Sequence, residues 1–348
     1  MTMVRVFKNS LVWAALPALL VFLCWNPSTV QGQTYSLRVT NPLQQEALPS
    51  KALESWGKEL EKRSNGKIKI KYYPDGTLAP MTQQYDAVIQ GMADVGMAIF
   101  GSTIGRFPQF ELMDLPAGWS DAVIATKVAN EYYDKFKPKE LAAVKVLWLH
   151  GMGPGWVCML KKPINTLEDL KNQKIRTGGN NTTYMKALGG TPVGMPMPET
   201  YDALSRGMLD GVLASYEALE SYRLGDFVKF ITENKDSAFS STFMIIMNKK
   251  VWDSLPKDIQ TVIDQLSKEQ PEKFAKAWEG AYASGKAFVV KRGAKIISLS
   301  KEEETKWFEK AGKPLIEDYV KRMKEKGLPG EESVKFVQDR IRTLKKEK

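Results

Sequence analysis

Apolar and polar residues succeed one another along this chain in patterns that predict short strands and longer helices. Residues 67–72 (Lys-Ile-Lys-Ile-Lys-Tyr) alternate strictly, which is typical of a β-strand with one solvated face. Over residues 48–66, apolar residues instead recur at helical spacing, and the run ends at an Asn-Gly pair. Strands over 34–39 and 95–100, with a helix near 81–90, complete a β-α-β-α-β order. That order predicts a parallel sheet covered by helices.

A second unit with the same alternation of elements follows the first. A helix over 122–136 and a strand over 144–149 end the first unit. Thr166 and Asp169 then have the spacing of a capping box at the start of a short helix, and the next strand ends at Arg176. The following helix stops at paired glycines, and after a further strand and helix an Asp-Gly turn leads into a third strand. These patterns predict a second α/β unit.

Two later segments predict that the chain passes between the two units more than once. The apolar run at 243–247 (Phe-Met-Ile-Ile-Met) is typical of a central strand that returns to the first sheet. The segment 271–290 predicts a long helix with Phe274, Trp278 and Tyr282 on one face. No linker rich in proline, glycine or serine separates the two halves. We therefore expect two α/β lobes crossed by several chain segments, which is a hinge architecture.

The first 32 residues have the pattern of a secretory signal peptide. Arg5 and Lys8 precede an apolar run over 11–25, and the small or modest residues at 30–32 favour cleavage before Gln33. The alternative is an uncleaved membrane anchor. The run of about 15 residues is shorter than the roughly 20 that span a bilayer. We therefore expect a cleaved leader and a periplasmic protein.

Composition limits the chemistry that the chain can perform. The formal net charge of +10 falls to +8 without the two basic residues of the leader. The lysines lie beside glutamates in helical segments, as is typical of solvated helix faces, so with a secretory leader we expect no nucleic-acid partner. Without the leader, the chain keeps one cysteine, Cys158, and one histidine, His150. A disulfide and a multi-histidine zinc site are thereby excluded.

Two stretches admit a catalytic interpretation. The glycine-rich segment 151–155 follows a strand, but a dinucleotide loop opens directly into a helix, whereas 156–160 reads as another strand. Pro154 also lacks the amide N–H that would face a phosphate. We therefore expect a crossover between lobes here. His150 and Cys158 could form a nucleophile pair, although a cysteine in an apolar run is usually inert packing.

Arg176 is the strongest candidate for a ligand contact. It ends a predicted strand and is followed by Thr177-Gly178-Gly179, and strand ends are where open α/β sheets bind ligands. The planar guanidinium holds a carboxylate through two parallel hydrogen bonds, which lysine cannot do. The alternative from these residues alone is a structural ion pair with one of the acidic residues.

Several further motifs stand in a fixed order: 58–68 (Lys-Glu-Leu-Glu-Lys-Arg-Ser-Asn-Gly-Lys-Ile), 91–95 (Gly-Met-Ala-Asp-Val), 106–108 (Arg-Phe-Pro), 161–164 (Lys-Lys-Pro-Ile), 167–171 (Leu-Glu-Asp-Leu-Lys), 189–192 (Gly-Gly-Thr-Pro), 199–204 (Glu-Thr-Tyr-Asp-Ala-Leu) and 210–211 (Asp-Gly). In order and spacing they resemble the solute-binding proteins of TRAP transporters, the DctP family, over nearly the whole chain after the leader. Members of that family have two α/β lobes joined by hinge strands and spanned by a long helix. The resemblance implies an α/β, two-lobed periplasmic binding protein fold, with the lobe-spanning helix at 271–290 and the solute between the lobes.

The resemblance also implies how the chain divides and moves. The expected boundaries are 1–32 for the signal peptide, 33–153 for the first part of lobe I, 154–241 for the first part of lobe II, 242–285 for the return of lobe I with the start of the long helix, and 286–348 for lobe II and the C-terminal helices. Crossings near Gly151–Gly155 and Ser240–Thr242 contain small residues that can absorb the rotation of hinge closure. We expect a monomer.

Residue by residue, the resemblance assigns the grip on the ligand carboxylate to Arg176. Trp156 occupies the position where many members have a second arginine, so it is expected to line the pocket; the alternative is that it packs the hinge. Met197 stands where a member specific for an acidic sugar has an aromatic contact, and Phe100 lies near the position of an acidic contact.

The positions after the Asp-Gly turn also differ from the family pattern. Ala214 replaces an asparagine that often follows this turn. Leu213 and Ala214 fill the region where metal-bridging members have a glutamate, so we expect no metal and no other cofactor. Tyr216 and Glu217 follow on the next turn, where they can reach the cleft.

The differences share one direction, because polar groups are replaced by apolar or aromatic ones. Such a pocket suits a monocarboxylate with an apolar or aromatic body, since a sugar acid or a small dicarboxylate would leave polar groups unpaired. The expected protein is not an enzyme. It captures a small organic anion by hinge closure and delivers it to the membrane subunits of a TRAP carrier. Two alternatives remain: a binding protein of an ABC importer, and an extracytoplasmic enzyme.

Overall fold

The computed structural model describes residues 34–348, so the predicted signal peptide lies outside the described residues. The strands of this part are β1 (Tyr35–Thr40), β2 (Ile68–Tyr73), β3 (Val95–Ile99), β4 (Val144–Gly151), β5 (Trp156–Met159), β6 (Lys174–Thr177), β7 (Thr191–Gly194), β8 (Gly211–Ala214), β9 (Phe230–Glu233), β10 (Thr242–Asn248) and β11 (Lys295–Ser298). They form two separate sheets, one in each lobe.

The α-helices cover both sheets. They are α1 (Leu48–Arg63), α2 (Gln84–Ile89), α3 (Ala122–Phe136), α4 (Asn181–Leu188), α5 (Thr200–Ser205), α6 (Tyr216–Ser221), α7 (Lys249–Ser254), α8 (Lys257–Lys268), α9 (Gln270–Lys291), α10 (Lys301–Trp307), α11 (Lys313–Glu325) and α12 (Gly330–Lys346). None of the helices in residues 34–348 combines the length and hydropathy that are needed to cross a bilayer.

The sheet of the first lobe has the strand order β2-β1-β3-β10-β4. Strands β1, β2 and β3 are parallel, as the β-α-β-α-β order predicts. Strand β10 returns from the second lobe and lies antiparallel between β3 and β4, so the sheet is mixed. The whole of β10 is buried, which explains its uninterrupted apolar sequence.

The sheet of the second lobe has the strand order β11-β9-β5-β8-β6-β7. Strand β6 lies parallel to β7 and β8, which brings the carboxyl ends of these three strands to one edge. Strand β5 is antiparallel to β8 and β9. The predicted cap at the start of this lobe is present, because the Asp169 carboxylate accepts hydrogen bonds from the Thr166 N–H at 2.9 Å and from its hydroxyl at 3.2 Å.

Two antiparallel chain segments cross between the lobes at the predicted positions. The Met152 N–H donates to the Ser241 carbonyl at 3.1 Å, and the Gly155 N–H donates to the Phe239 carbonyl at 3.0 Å. The Ser240 hydroxyl donates to the Met152 carbonyl at 2.8 Å. These bonds join the two crossings into a narrow ribbon.

Helix α9 packs on both lobes. It contacts α1 and α3 of the first lobe and α6 of the second. Glu279 accepts a hydrogen bond from the Ala122 N–H of the first lobe at 2.6 Å, and Lys286 forms an ion pair with Glu233 of the second at 2.9 Å. The long helix predicted from the sequence is therefore the element that spans the lobes.

The C-terminal helices pack where the sequence did not place them. Within the segment 286–348, which is expected to hold the end of lobe II and the C-terminal helices, β11 and α10 lie in the second lobe. Helix α12 instead packs on α3 of the first lobe, and α11 packs on α12 and on the turn at residues 110–114, so that Tyr319 and Val337 join the core of the first lobe. The amphipathic faces of α11 and α12 require an apolar surface, and this core provides one.

Candidate functional site

A cavity of about 420 Å³ lies between the two lobes. This volume is within the range of pockets that hold small molecules. The residues around it come from the ends of strands in both sheets, from the crossings and from α9. They are Leu43, Met81, Thr82, Ile99, Gly101, Ser102, Ile104, Asp114, Met152, Arg176, Gly178, Gly179, Asn180, Asn181, Thr182, Gly194, Met195, Pro196, Met197, Leu213, Ala214, Ser215, Glu217, Ala218, Tyr222, Phe239, Ser241, Phe243 and Trp278.

Arg176 is the cationic group of this wall. It lies at the carboxyl end of β6 and is 5% exposed. Its Nε and Nη2 donate to the Met195 carbonyl at 3.0 and 2.8 Å, and it forms no ion pair within residues 34–348. Burial lowers the pKa of Arg176 to about 10, so the guanidinium remains charged at neutral pH. The site therefore holds a buried positive charge whose partner is a backbone carbonyl.

Two glycines that follow Arg176 in the chain allow close packing, one within the second lobe and one against the first lobe. A Cβ on Gly178 would lie 3.0 Å from the Arg176 Nη2. A Cβ on Gly179, where φ is +55°, would lie 2.3 Å from the Gly101 carbonyl oxygen of the opposite lobe. Beside this contact, the Asn180 Nδ2 donates to Asp114 Oδ2 across the cleft at 3.0 Å. The lobes are therefore in direct contact over the cavity.

Two carboxyl groups face the cavity region, one from each lobe. Asp114 belongs to the first lobe and is 2% exposed; burial raises its pKa to about 7 against the opposing effects of Asn180 and the Thr242 N–H. Glu217, in the first turn of α6, is 6% exposed, and the Ser221 hydroxyl donates to its Oε1 at 2.5 Å. Burial also raises the pKa of Glu217 to about 7.

The remaining wall is mostly apolar and, besides Tyr222, includes three aromatic rings. Phe239 lies on one crossing, Phe243 on β10 and Trp278 on α9. Behind them, His150 stacks on Phe243 with ring centroids 5.0 Å apart, and the Trp278 Nε1–H donates to His150 Nδ1 at 2.9 Å. The histidine therefore fixes the rings of the wall without itself lining the cavity.

The structure brings four of the predicted site residues together at the cavity. They are Arg176, Met197, Ala214 and Glu217. All four belong to the second lobe, where the carboxyl ends of β6 and β8 meet the start of α6. Their role in binding a ligand stays a prediction.

Three predicted residues lie elsewhere, in the cores of the lobes. Phe100 stacks on Phe110 with centroids 4.0 Å apart, so only its neighbours Ile99 and Gly101 reach the cavity. Trp156 is 3% exposed in the core of the second lobe, which agrees with the alternative that it packs near the hinge. Tyr216 is fully buried, and its hydroxyl donates to Glu233 at 2.9 Å. Each of these side chains points into the core of its lobe and not toward the cavity, because the packing of its chain segment fixes that direction.

Other lining residues were not singled out from the sequence. Asp114 ends a short irregular helical turn, where no periodicity marks its side chain. Tyr222 follows α6, and its hydroxyl is buried without a hydrogen-bond partner within the described residues. Trp278 was recognised as part of the apolar face of the long helix, but the pattern did not show that this face also meets the cavity.

The structure does not bring His150 and Cys158 together as a nucleophile pair. His150 belongs to the first sheet and Cys158 to the second, where its thiol donates to the Trp156 carbonyl at 3.6 Å. Burial lowers the pKa of His150 to about 3 and raises the pKa of the Cys158 thiol. A protonated thiol cannot act as a nucleophile, and this imidazole already accepts a hydrogen bond at Nδ1. Within residues 34–348, no group of three histidine, cysteine or acidic residues could hold a metal ion.

A sequence model of bacterial extracellular solute-binding protein family 7, DctP, matches residues 42–322, which is most of the chain. The chain belongs to the DctP family. TRAP solute-binding proteins of this family are periplasmic, bind small organic anions and work with membrane components. The family and the fold are those of substrate-binding proteins rather than of enzymes, and nothing in the comparisons supports an ABC importer.

Relatives within the DctP family match over most of their length. A solute-binding protein from Albidiferax ferrireducens is 28% identical over 277 residues, which cover 77% of this chain and 80% of the relative. A solved TRAP solute-binding protein from a marine metagenome, specific for aromatic acid ligands and in complex with metahydroxyphenylacetate, is 28% identical, with a TM-score of 0.84 and coverage of 89% of this chain and 99% of that chain. One from Rhodoferax ferrireducens T118, with copurified benzoate, is 26% identical, with a TM-score of 0.84 and coverage of 90% and 99%.

The ligands of the solved structures differ. A protein from Chromohalobacter salexigens with bound D-glucuronate shares the fold at 20% identity, with a TM-score of 0.79 and coverage of 87% of this chain and 99% of that chain. These comparisons confirm the predicted family and the two-lobed α/β fold. The family match by itself establishes organic acids as the ligand class and does not distinguish aromatic acids from sugar acids.

Proposed function

We propose that this protein binds an apolar or aromatic monocarboxylate between its lobes and delivers it to the membrane subunits of a TRAP carrier. The observation that carries the proposal is the buried guanidinium of Arg176, which has no acidic partner in the described chain. A buried charge is costly unless an opposite charge neutralises it. A ligand carboxylate supplies that negative charge and can accept hydrogen bonds from the guanidinium N–H groups that do not bond to the Met195 carbonyl.

The distribution of charge favours one carboxylate over two. Among the described residues that line the cavity, Arg176 is the cation. The carboxyl groups that line it belong to Asp114 and Glu217. A second ligand carboxylate would lie among acidic groups without a cation, at a cost of several kcal/mol. Small dicarboxylates therefore fit this wall poorly.

The apolar part of the wall favours a ring over a sugar. Phe239, Phe243 and Trp278 offer faces and edges on which an aromatic body can pack, releasing water from both surfaces. A sugar acid would need a polar partner for each hydroxyl. The two relatives above 25% identity that were solved with metahydroxyphenylacetate and with benzoate add support for this class.

The place of action follows from the predicted leader and from the family. A cleaved signal peptide at 1–32 would release the protein into the periplasm, where family members act. Hinge closure would then present the loaded protein to the membrane subunits as a monomer.

Calorimetric titration with benzoate tests the proposal. Arg176→Ala should weaken binding about a hundredfold, roughly 3 kcal/mol, because the carboxylate would be desolvated without a partner. Arg176→Lys should recover only part of the loss, since an ammonium cannot form the bidentate pair. Arg206→Ala, at an exposed arginine of the same lobe, is the matched control and should bind as the wild type does.

Two outcomes would contradict the proposal. If Arg176→Ala binds benzoate with unchanged affinity, the guanidinium is not the anion contact. If succinate binds the wild type more tightly than benzoate does, the ligand class is wrong although the family remains.

A further inference from the structure

Glu217 has hydrogen-bonding capacity that the protein does not use. Its Oε1 accepts from the Ser221 hydroxyl, while its Oε2 receives no hydrogen bond from the described residues. The side chain is nine-tenths buried and lines the cavity. Oε2 is not among the fully buried polar atoms, so it stays accessible at the cavity, where it can accept a hydrogen bond from a ligand.

Glu217 is fixed in place. Ser221 lies one turn further along α6, and the bond between them holds the carboxyl in one rotamer. The N-cap Ser215, whose hydroxyl accepts from the Ala218 N–H at 3.3 Å, anchors the start of the same helix. An acceptor that cannot turn away selects for the position of a donor on the ligand.

The second polar contact is separate from the carboxylate site. Arg176 lies at the carboxyl end of β6, whereas Glu217 lies in the first turn of α6. Arg176 and Glu217 form no ion pair with each other. A ligand that reaches both must therefore carry a carboxylate at one end and a hydrogen-bond donor elsewhere on its body.

Resting on the proposed function, we propose that the ligand carries one hydroxyl group that donates a hydrogen bond to Glu217. The ligand class is then a hydroxylated monocarboxylate, and Glu217 is the residue that distinguishes it from its unsubstituted parent. An apolar wall without such a group could discriminate against an added hydroxyl only weakly, whereas a fixed acceptor rejects the analogue that lacks the donor.

The test compares matched acids in matched variants. Benzoate is titrated against 3- and 4-hydroxybenzoate, and phenylacetate against mandelate, by calorimetry. In the wild type at least one hydroxylated acid should bind about tenfold more tightly than its parent, as expected for one additional hydrogen bond. Glu217→Met, which keeps the volume and removes the acceptor, should reduce that ratio to about twofold or less. Glu220→Gln, on the same helix but outside the cavity wall, should leave it unchanged.

The outcomes separate this inference from the proposed function. If the parents bind through Arg176 but no hydroxylated acid gains affinity, this inference alone is overturned. The same follows if the gain persists in Glu217→Met. If none of the acids binds the folded wild-type protein, the proposed function fails and the inference fails with it. Thermal unfolding of each variant verifies that the protein is folded.

Discussion

Single side chains decide the chemistry of the cleft through their surroundings rather than their identity. Arg176 and Arg206 are both arginines of the second lobe, yet only the first is buried without an acidic partner. Trp156 and Trp278 are both buried, yet only the second meets the cavity. A ligand should therefore change the fluorescence of Trp278 more directly than that of Trp156.

His150 predicts a measurable dependence of stability on pH. Its folded pKa is lowered to about 3 from the ordinary 6.5, because it is fully buried and accepts the Trp278 N–H. The unfolded chain binds the proton first, so the stabilisation is present above pH 6.5 and is lost as the pH falls towards 3. Each pH unit in that window costs about 1.4 kcal/mol of unfolding free energy.

Urea unfolding of His150→Phe against the wild type measures this effect. The wild type should lose roughly 2 kcal/mol more than the variant between pH 7.5 and 5, since the variant has no group to protonate. The buried carboxyls Asp114 and Glu217 are present in both proteins, so their contributions cancel in the comparison. Parallel stability profiles would show that folding leaves the pKa of His150 unchanged.

At the scale of elements, α9 is the helix that packs on both lobes and connects them. The spacing of its apolar residues predicts a helix. Its contacts with α1, α3 and α6 explain its length, because these helices belong to both lobes. Gly285 marks its closest approach to the second lobe, because a Cβ there would lie 2.1 Å from the Tyr216 carbonyl oxygen. A Cβ and a carbonyl oxygen this close would clash. Because the carbonyl is part of the backbone of α6, the clash can be relieved only if α6 moves.

Gly285→Ala should therefore destabilise the protein by about 1–3 kcal/mol, the usual cost of overpacking. Gly280→Ala is the matched control on the same helix. Its Cβ would meet only the flexible Leu48 side chain at 3.1 Å, and alanine favours a helix over glycine by about 1 kcal/mol. Chemical denaturation should show the first variant weakened and the second unchanged or stabilised. Equal effects would mean that α6 can shift without cost.

At the scale of the whole molecule, we predict that close packing of Gly179 against Gly101 is needed for the cleft to close. Both glycines lie at the cavity, on opposite lobes, with the Asn180–Asp114 hydrogen bond beside them. The described structure, in which these glycines already touch, has the geometry expected of a closed cleft, and rotation about the narrow crossings at Met152–Gly155 and Phe239–Ser241 would separate them.

Solution scattering tests hinge closure with a matched pair of variants. Wild-type protein saturated with benzoate should have a smaller radius of gyration than ligand-free protein. Gly179→Ala should lose that decrease, because its Cβ would lie 2.3 Å from the Gly101 carbonyl oxygen. Gly189→Ala also places a side chain at positive φ (+99°), but its Cβ meets nothing within 4 Å, so this variant should close normally. An unchanged radius in the wild type would indicate a rigid cleft.

Much of the fold could be predicted because its signals are local. Strict alternation at β2, helical spacing in α1 and α9, and the capping pair Thr166 and Asp169 each depend on residues within one or two turns of each other. The uninterrupted apolar run of β10 likewise predicts a central strand. A strand end and a following glycine pair, which are also local features, make Arg176 a candidate, and the resemblance to the DctP family favours a ligand contact over a structural ion pair.

The parts that only the tertiary structure decided are those where distant segments meet. Strand β9, the antiparallel place of β10 and the packing of α11 and α12 on the first lobe depend on partners far along the chain. The same holds for the cavity wall, where Asp114, Tyr222 and Trp278 come from separate elements. Periodicity determines that a side chain is buried, but the pairing of whole elements determines whether it faces a core or a cleft. For that reason the sequence alone determined the two-lobed scaffold and its arginine, and the tertiary structure decided what surrounds it.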